Sequence, residues 1–164
     1  MSVLLRFTVP GEPVAWQRTR INRSGYHFTA AKTRAAQLAI AETARLAFGQ
    51  RPLLDGPLSL SIIARCGTKA KKTHGRYKTT RPDLDNYVKT VMDALNGVIW
   101  LDDARVVQID ACKLWSETPQ LTIVVSEPII YGQVEHGKKA GNATTRDSNE
   151  LLPLSTTGGR IRVL

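Results

Sequence analysis

The sequence predicts an α+β fold: a small mixed β-sheet with two helices packed on it, in the order β-α-β-α-β-β. Two observations predict it. Three segments (3–9, 57–65 and 120–127) alternate apolar and polar residues as half-buried strands do. Between them lie two stretches of helical character, at 30–48 and 83–96, each followed at once by glycine.

Each element has its own signature. Val3, Leu5, Phe7 and Val9 share one face of the first strand, and Pro10, Gly11 and Pro13 stop it. Residues 10–28 read as a long loop carrying Arg18, Arg20 and Arg23 among Trp16, Tyr26 and Phe28. Thr29 is placed to cap an Ala-rich helix that Gly49 ends. Leu58, Leu60, Ile62 and Ala64 alternate in the second strand. Residues 67–81 form a basic loop. In the clearest helix, 83–96, Leu84, Val88, Val91, Met92 and Leu95 fall at i, i+4, i+7, i+8 and i+11, which predicts a buried stripe. Pro82 precedes this helix, Asp83 can cap it and Gly97 closes it. A turn over 98–103 leads to a third strand at 105–115, and Leu121, Ile123 and Val125 alternate in a fourth. From Pro128 the composition turns to glycine and small polar residues, so residues 1–127 read as the domain and 128–164 as a loosely attached tail. The three tryptophans, Trp16, Trp100 and Trp115, read as packing residues.

With 164 residues and 42% hydrophobic content, the chain suits one domain with a packed core. No apolar run approaches the ~20 residues that span a bilayer. Met1 to Arg6 do not resemble a signal peptide. Cys66 and Cys112 form no CxxC and read as a reduced pair, which with the preceding points implies a cytoplasmic protein without a membrane partner. His27, His74 and His136 have no zinc-ligand spacing, and the sequon at Asn142 has no secretory context.

Charge is the first pointer to function. The chain has 23 Lys+Arg against 14 Asp+Glu, a net +9, which suggests a polyanionic partner such as nucleic acid. Residues 1–82 carry +12 and residues 83–164 carry −3, and six of the 14 acids lie between Asp83 and Asp110. Six cations (Lys69, Lys71, Lys72, Arg76, Lys78 and Arg81) occupy the 13 residues 69–81, separated from Asp83 by Pro82 alone. These six, with Arg18 and Arg20, are the candidate DNA contacts.

The acids follow a pattern. Asp85, Lys89 and Asp93 form an i, i+4, i+8 row opposite the apolar stripe, with Asn86 beside them and Asp83 at the helix mouth. The turn after Gly97 can bring Asp102 and Asp103 back toward that mouth. Carboxylates brought together repel, and a hard divalent cation such as Mg²⁺ relieves the repulsion. Such an ion supports phosphodiester cleavage, and Lys89 could stabilise developing charge. Plainer explanations remain open for each feature: Asp83 as a cap, Asp85-Lys89-Asp93 as a solvated ladder, and Asp102-Asp103 as a turn. On those explanations the chain is a non-catalytic basic nucleic-acid-binding protein. A DxD-bearing glycosyltransferase is disfavoured by the missing Gly-rich nucleotide loop and the surplus of cations.

Asp83-Leu84-Asp85-Asn86-Tyr87-Val88-Lys89, then Met92-Asp93-Ala94-Leu95-Asn96-Gly97, then Trp100-Leu101-Asp102-Asp103-Ala104-Arg105-Val106-Val107 resembles the RusA family of Holliday-junction resolvases. Pro10 to Arg20 is similar to the phage-borne branch of that family, and the likeness covers residues 3–127. The resemblance implies an α+β homodimer that cuts four-way DNA junctions with Mg²⁺, with Mn²⁺ able to substitute, in recombination and repair. It makes Asp83, Asp85 and Asp103 the metal-binding acids, with Asp102 a neighbouring acid able to contribute. It makes Lys89 the essential lysine, and it also matches Asn86 and Asp93, the latter placed to orient Lys89. A C2 dimer would supply two identical sites for two opposed nicks.

Overall fold

The computed structural model describes residues 2–17, 20–21, 27–28 and 30–129, with 20–21 and 27–28 described as backbone only. It is a mixed α+β domain with a four-stranded mixed sheet and two helices. Strand β1 (Val3–Pro10) is followed by a two-residue pair, β2 (Arg20–Ile21) and β3 (His27–Phe28), inside the stretch read as loop. Helix α1 (Ala31–Phe48), β4 (Leu58–Gly67), α2 (Leu84–Leu95), β5 (Val106–Ser116) and β6 (Gln120–Ser126) follow. The cap expected at Thr29 lies outside the described residues, and the cap position of α1 falls on Ala30 without a side-chain hydrogen bond. Arg18, Arg23, Tyr26 and the tail from residue 130 also lie outside them.

The sheet order is β1-β6-β4-β5. Only β4 and β5 are parallel; β6 is antiparallel to both β1 and β4. The last two strands therefore do not form a hairpin. Their connection crosses the end of β4 at Gly67, where an added Cβ would lie 3.0 Å from Glu12 Oε2 and 3.6 Å from Pro119. Glycine keeps that crossing open, and its N–H donates to Glu12 Oε2 (2.8 Å).

Alternation places one face of the sheet in the core. Leu5 and Phe7 on β1, Leu121, Ile123 and Val125 on β6, and Leu58, Leu60, Ile62 and Ala64 on β4 are buried together with Ile40, Ala44 and Phe48 of α1 and Val91 and Leu95 of α2. Both helices lie over this face. Beneath α2, Tyr87 Oη and Cys66 Sγ are 3.6 Å apart, and burial pushes both the phenol and the thiol up from their ordinary pKa values. Cys66 and Cys112 are both free thiols. Among the described residues, no helix is long and apolar enough to cross a membrane.

The expected stripe on α2 divides in two. Val91 and Leu95 are fully buried, joined by Tyr87, Thr90 and Ala94, whereas Leu84, Val88 and Met92 are only half-buried. The helix turns its 87-91-95 line to the sheet. The 84-88-92 line then looks toward β5, an edge strand whose Val107 and Ile109 are exposed. Gly97, with φ +70°, ends the helix in the left-handed region that glycine accepts without strain.

Candidate active site

Helix α2 opens with Asp83-Leu84-Asp85-Asn86. Asp83 occupies the N-cap position with φ −72° and ψ 152°, yet its side chain makes no capping hydrogen bond. A capping aspartate ordinarily accepts from a backbone N–H of the first turn. Asp83 instead lines a polar hollow of about 530 Å³ with Asp85, Asn86, Lys89 and Trp16. Asn86 Nδ2 donates to Asp85 Oδ1 (3.2 Å). The Trp16 backbone N–H donates to the Asn86 carbonyl (2.8 Å), which holds the N-terminal loop against the first turn of α2.

Lys89 lies one turn beyond Asp85. Its ammonium is 3.6 Å from Asp93 Oδ1 and 5.3 Å from the centre of the Trp16 ring. From α1, Gln37 Nε2 donates to Asp93 Oδ2 (3.2 Å). The Asp85-Lys89-Asp93 row is thus tied to a second helix and to an aromatic ring, unlike a ladder that faces only water.

Asp103 approaches from the other side. Leu54 donates its N–H to the Ile99 carbonyl and accepts from the Leu101 N–H, which secures the turn after α2. The fully buried Trp100 donates its indole N–H to Asp103 Oδ1 (2.8 Å), so a core residue fixes one carboxylate oxygen. Asp103 lines a second hollow of about 780 Å³, together with Asp85, Lys89, Asp93, Asp110 and the half-buried Leu84, Val88 and Met92. Asp85 and Lys89 belong to both hollows. Asp102 lines neither; it accepts from the Ala104 N–H (2.8 Å) and caps the short 3-10 turn Asp103–Arg105. For Asp102 the simple turn explanation describes what the structure shows.

The donor chemistry suits a hard divalent cation, because Asp83, Asp85 and Asp103 all offer carboxylate oxygens. The expected convergence is only pairwise: Asp85 shares one hollow with Asp83 and the other with Asp103. Among the described residues, no three Asp, Glu, His or Cys side chains stand together closely enough to hold one ion.

The basic loop docks along the outer edge of β5. Lys78 N–H donates to the Lys113 carbonyl and Trp115 N–H to the Arg76 carbonyl, each at 2.9 Å. Lys69, Lys71, Lys72, Arg76 and Arg81 are exposed. Lys78 is not, at 7% exposure, and its position departs from the expected phosphate contact. Arg18 lies outside the described residues, as does the side chain of Arg20.

Three residues near the acids escaped the sequence reading. Trp16, read from the sequence as a packing residue, and Gln37 reach the site through tertiary packing, and nothing local assigns either of them to it. Asp110 had a signal, a carboxylate between Ile109 and Ala111 in a strand. Trp100 is core, as expected.

Carboxylates presented at a helix mouth, with a lysine beside them and exposed cations leading into them, are compatible with phosphodiester chemistry. The family model described as endodeoxyribonuclease RusA matches residues 10–126. The chain belongs to this family and is an endodeoxyribonuclease. It is 34% identical over 139 residues to the uncharacterized protein YqaN of Bacillus subtilis (strain 168), covering 75% of this chain and 96% of that protein. It is also 35% identical over 72 residues to the crossover junction endodeoxyribonuclease rusA of Lactococcus phage r1t, covering 43% of this chain and 55% of that protein.

Proposed function

We propose that this endodeoxyribonuclease resolves four-way Holliday junctions in recombination and repair, as a Mg²⁺-dependent homodimer that makes paired symmetric nicks. The observation that carries the reading is the mouth of α2: Asp83 and Asp85 share a hollow with Lys89, and the run of exposed cations ends directly before them.

In this reading Asp83, Asp85 and Asp103 supply the carboxylates for the cation, Mg²⁺ or a substituting Mn²⁺, with Asp85 the one that borders both hollows. When bound, such an ion polarises a phosphoryl oxygen, lowers the pKa of an attacking water and steadies the leaving oxygen. The chain's own residues do the rest. Lys69, Lys71, Lys72, Arg76 and Arg81 engage phosphates and set the register of the arms without reading sequence. Lys89 presents its ammonium to the charge that builds on phosphorus. Asp93, held by Gln37, and the ring of Trp16 keep Lys89 in that place.

Two opposed nicks call for two sites related by the two-fold axis of the junction. The exposure of Val107 and Ile109 on edge strand β5, beside the larger hollow, supports pairing with a second copy.

The test is cleavage of a synthetic four-way junction with and without Mg²⁺. Asp83→Asn and Asp103→Asn should each abolish nicking while leaving junction binding intact or tighter, because negative charge near phosphate is removed. Wild-type cleavage by either variant would refute the assignment. On a cruciform plasmid, paired nicking should yield linear product within one binding event; nicked circles alone would refute the dimeric scheme.

A further inference from the structure

We propose that Lys78, together with Lys113, is a positioning residue that sets the peptide leading into Asp83, and that it is not a DNA contact. The proposal rests on the reading of Asp83 and Asp85 as metal ligands.

An ammonium has three N–H donors, and burying it without partners is costly. Lys78 is 7% exposed, and all three of its donors are occupied. Nζ donates to the Thr80 carbonyl (3.0 Å), to Thr80 Oγ1 (2.6 Å) and to the Arg81 carbonyl (2.5 Å). It also lies 4.5 Å from the centre of the Trp115 ring, which adds a cation–π contact. No donor remains for a phosphate.

Lys113, on β5, completes the arrangement. Its Nζ donates to the Thr80 carbonyl (2.9 Å) and to the Pro82 carbonyl (2.5 Å). Two ammoniums thus gather three successive carbonyls, those of residues 80, 81 and 82. The Pro82 carbonyl lies in the same rigid peptide plane as the Asp83 N–H. Fixing that oxygen fixes the orientation from which Asp83 enters α2. Asp83 itself makes no capping bond, so the lysines supply the anchorage that a capping side chain would otherwise provide. The anchorage extends to β5 through the Lys78 N–H to Lys113 carbonyl bond.

Removing Lys78 should loosen the approach to Asp83 and weaken cation binding, while leaving the exposed phosphate contacts in place. The experiment compares full-length K78M, K78R and K113M with wild type and with D83N. It measures Mn²⁺ binding by calorimetry without DNA, junction affinity in EDTA across a salt series, and amide hydrogen exchange over residues 80–85. K78M should bind Mn²⁺ roughly tenfold more weakly and exchange faster at 80–85. Its junction affinity should stay within about twofold and its salt slope should not change. K78R keeps donors for the carbonyls and should recover most of the Mn²⁺ affinity. A salt slope lower by about one phosphate in K78M, with Mn²⁺ binding and exchange unchanged, would overturn the proposal. Should K78M not fold, K113M decides by the same criteria, with faster exchange at 80–85 supporting the proposal and unchanged exchange overturning it. Unchanged Mn²⁺ affinity in D83N would instead refute the metal-ligand reading, and the exchange data would still decide whether Lys78 and Lys113 hold the loop.

Discussion

Replacing Lys89 with methionine separates a catalytic lysine from a solvated helix ladder. Methionine keeps the unbranched stem and the helix propensity while removing the charge. The structure bounds the stability cost. The Lys89–Asp93 pair is 3.6 Å apart with side chains 50% and 34% exposed, so screening limits it to about 0.5 kcal/mol. The contact with the Trp16 ring, at 5.3 Å, adds roughly 0.5 kcal/mol at this exposure. Together they amount to about 1 kcal/mol, a fall in Tm of about 3–5 °C for a domain of this size. Catalysis should suffer far more. Losing a preorganised positive group at the developing charge costs about 3–4 kcal/mol, or roughly 10²–10³ in rate. The assay is single-turnover nicking of a four-way junction at saturating enzyme and Mg²⁺, so that a lost phosphate contact does not affect the rate. A rate within about fivefold of wild type, alongside the small change in Tm, would show that Lys89 serves only as a surface ion-pair partner.

Three further outcomes are expected. Replacing Lys71, Lys72 and Arg76 together with Ala should lower the dependence of log affinity on log salt by about 2–3, since each phosphate contact contributes about 0.9; an unchanged slope would mark the loop as a solvated charge run. Gly97→Ala should cost about 1–2 kcal/mol in urea unfolding, entirely through its φ of +70°, because an added Cβ would meet nothing within 4 Å; unaltered stability would contradict the left-handed turn. Burial pushes the Cys66 thiol up, so the folded chain keeps its proton at pH values where the unfolded thiol, with a pKa of about 8.5, has lost it. That contribution is fully present below the unfolded pKa and is lost as pH rises above it. Cys66→Ala should therefore lose less stability than wild type between pH 8 and 10, and equal losses would show that the thiol is not the group responsible.

The long elements were legible in the sequence because each announces itself locally. Alternation of Leu58, Leu60, Ile62 and Ala64 can be satisfied by a strand and not by a helix, and the Pro82-Asp83 start and Gly97 stop bound α2 from either end. The acids of the α2 mouth were legible for the same reason, since 3.6-residue periodicity alone places Asp85, Lys89 and Asp93 on one face. The pairing of strands was not. Nothing local tells β6 to insert between β1 and β4, because both of its partners come from distant parts of the chain.

The sequence by itself determined the α+β class, the basic stretch ahead of a carboxylate-bearing helix, and the residue types from which the RusA likeness is built. Only the tertiary structure decided what each member of those sets does. It divided six similar cations into five that face water and one, Lys78, whose donors are consumed by two carbonyls and the Thr80 hydroxyl. It separated adjacent Asp102 and Asp103 into a turn cap and a wall of the larger hollow. It brought Trp16 to Lys89 and Gln37 to Asp93 from segments that lie far away in the chain. The physical reason is common to all three. Charge and periodicity are properties of a segment, whereas burial and hydrogen-bond partnership are set by what packs against it, and that neighbour comes from elsewhere in the sequence.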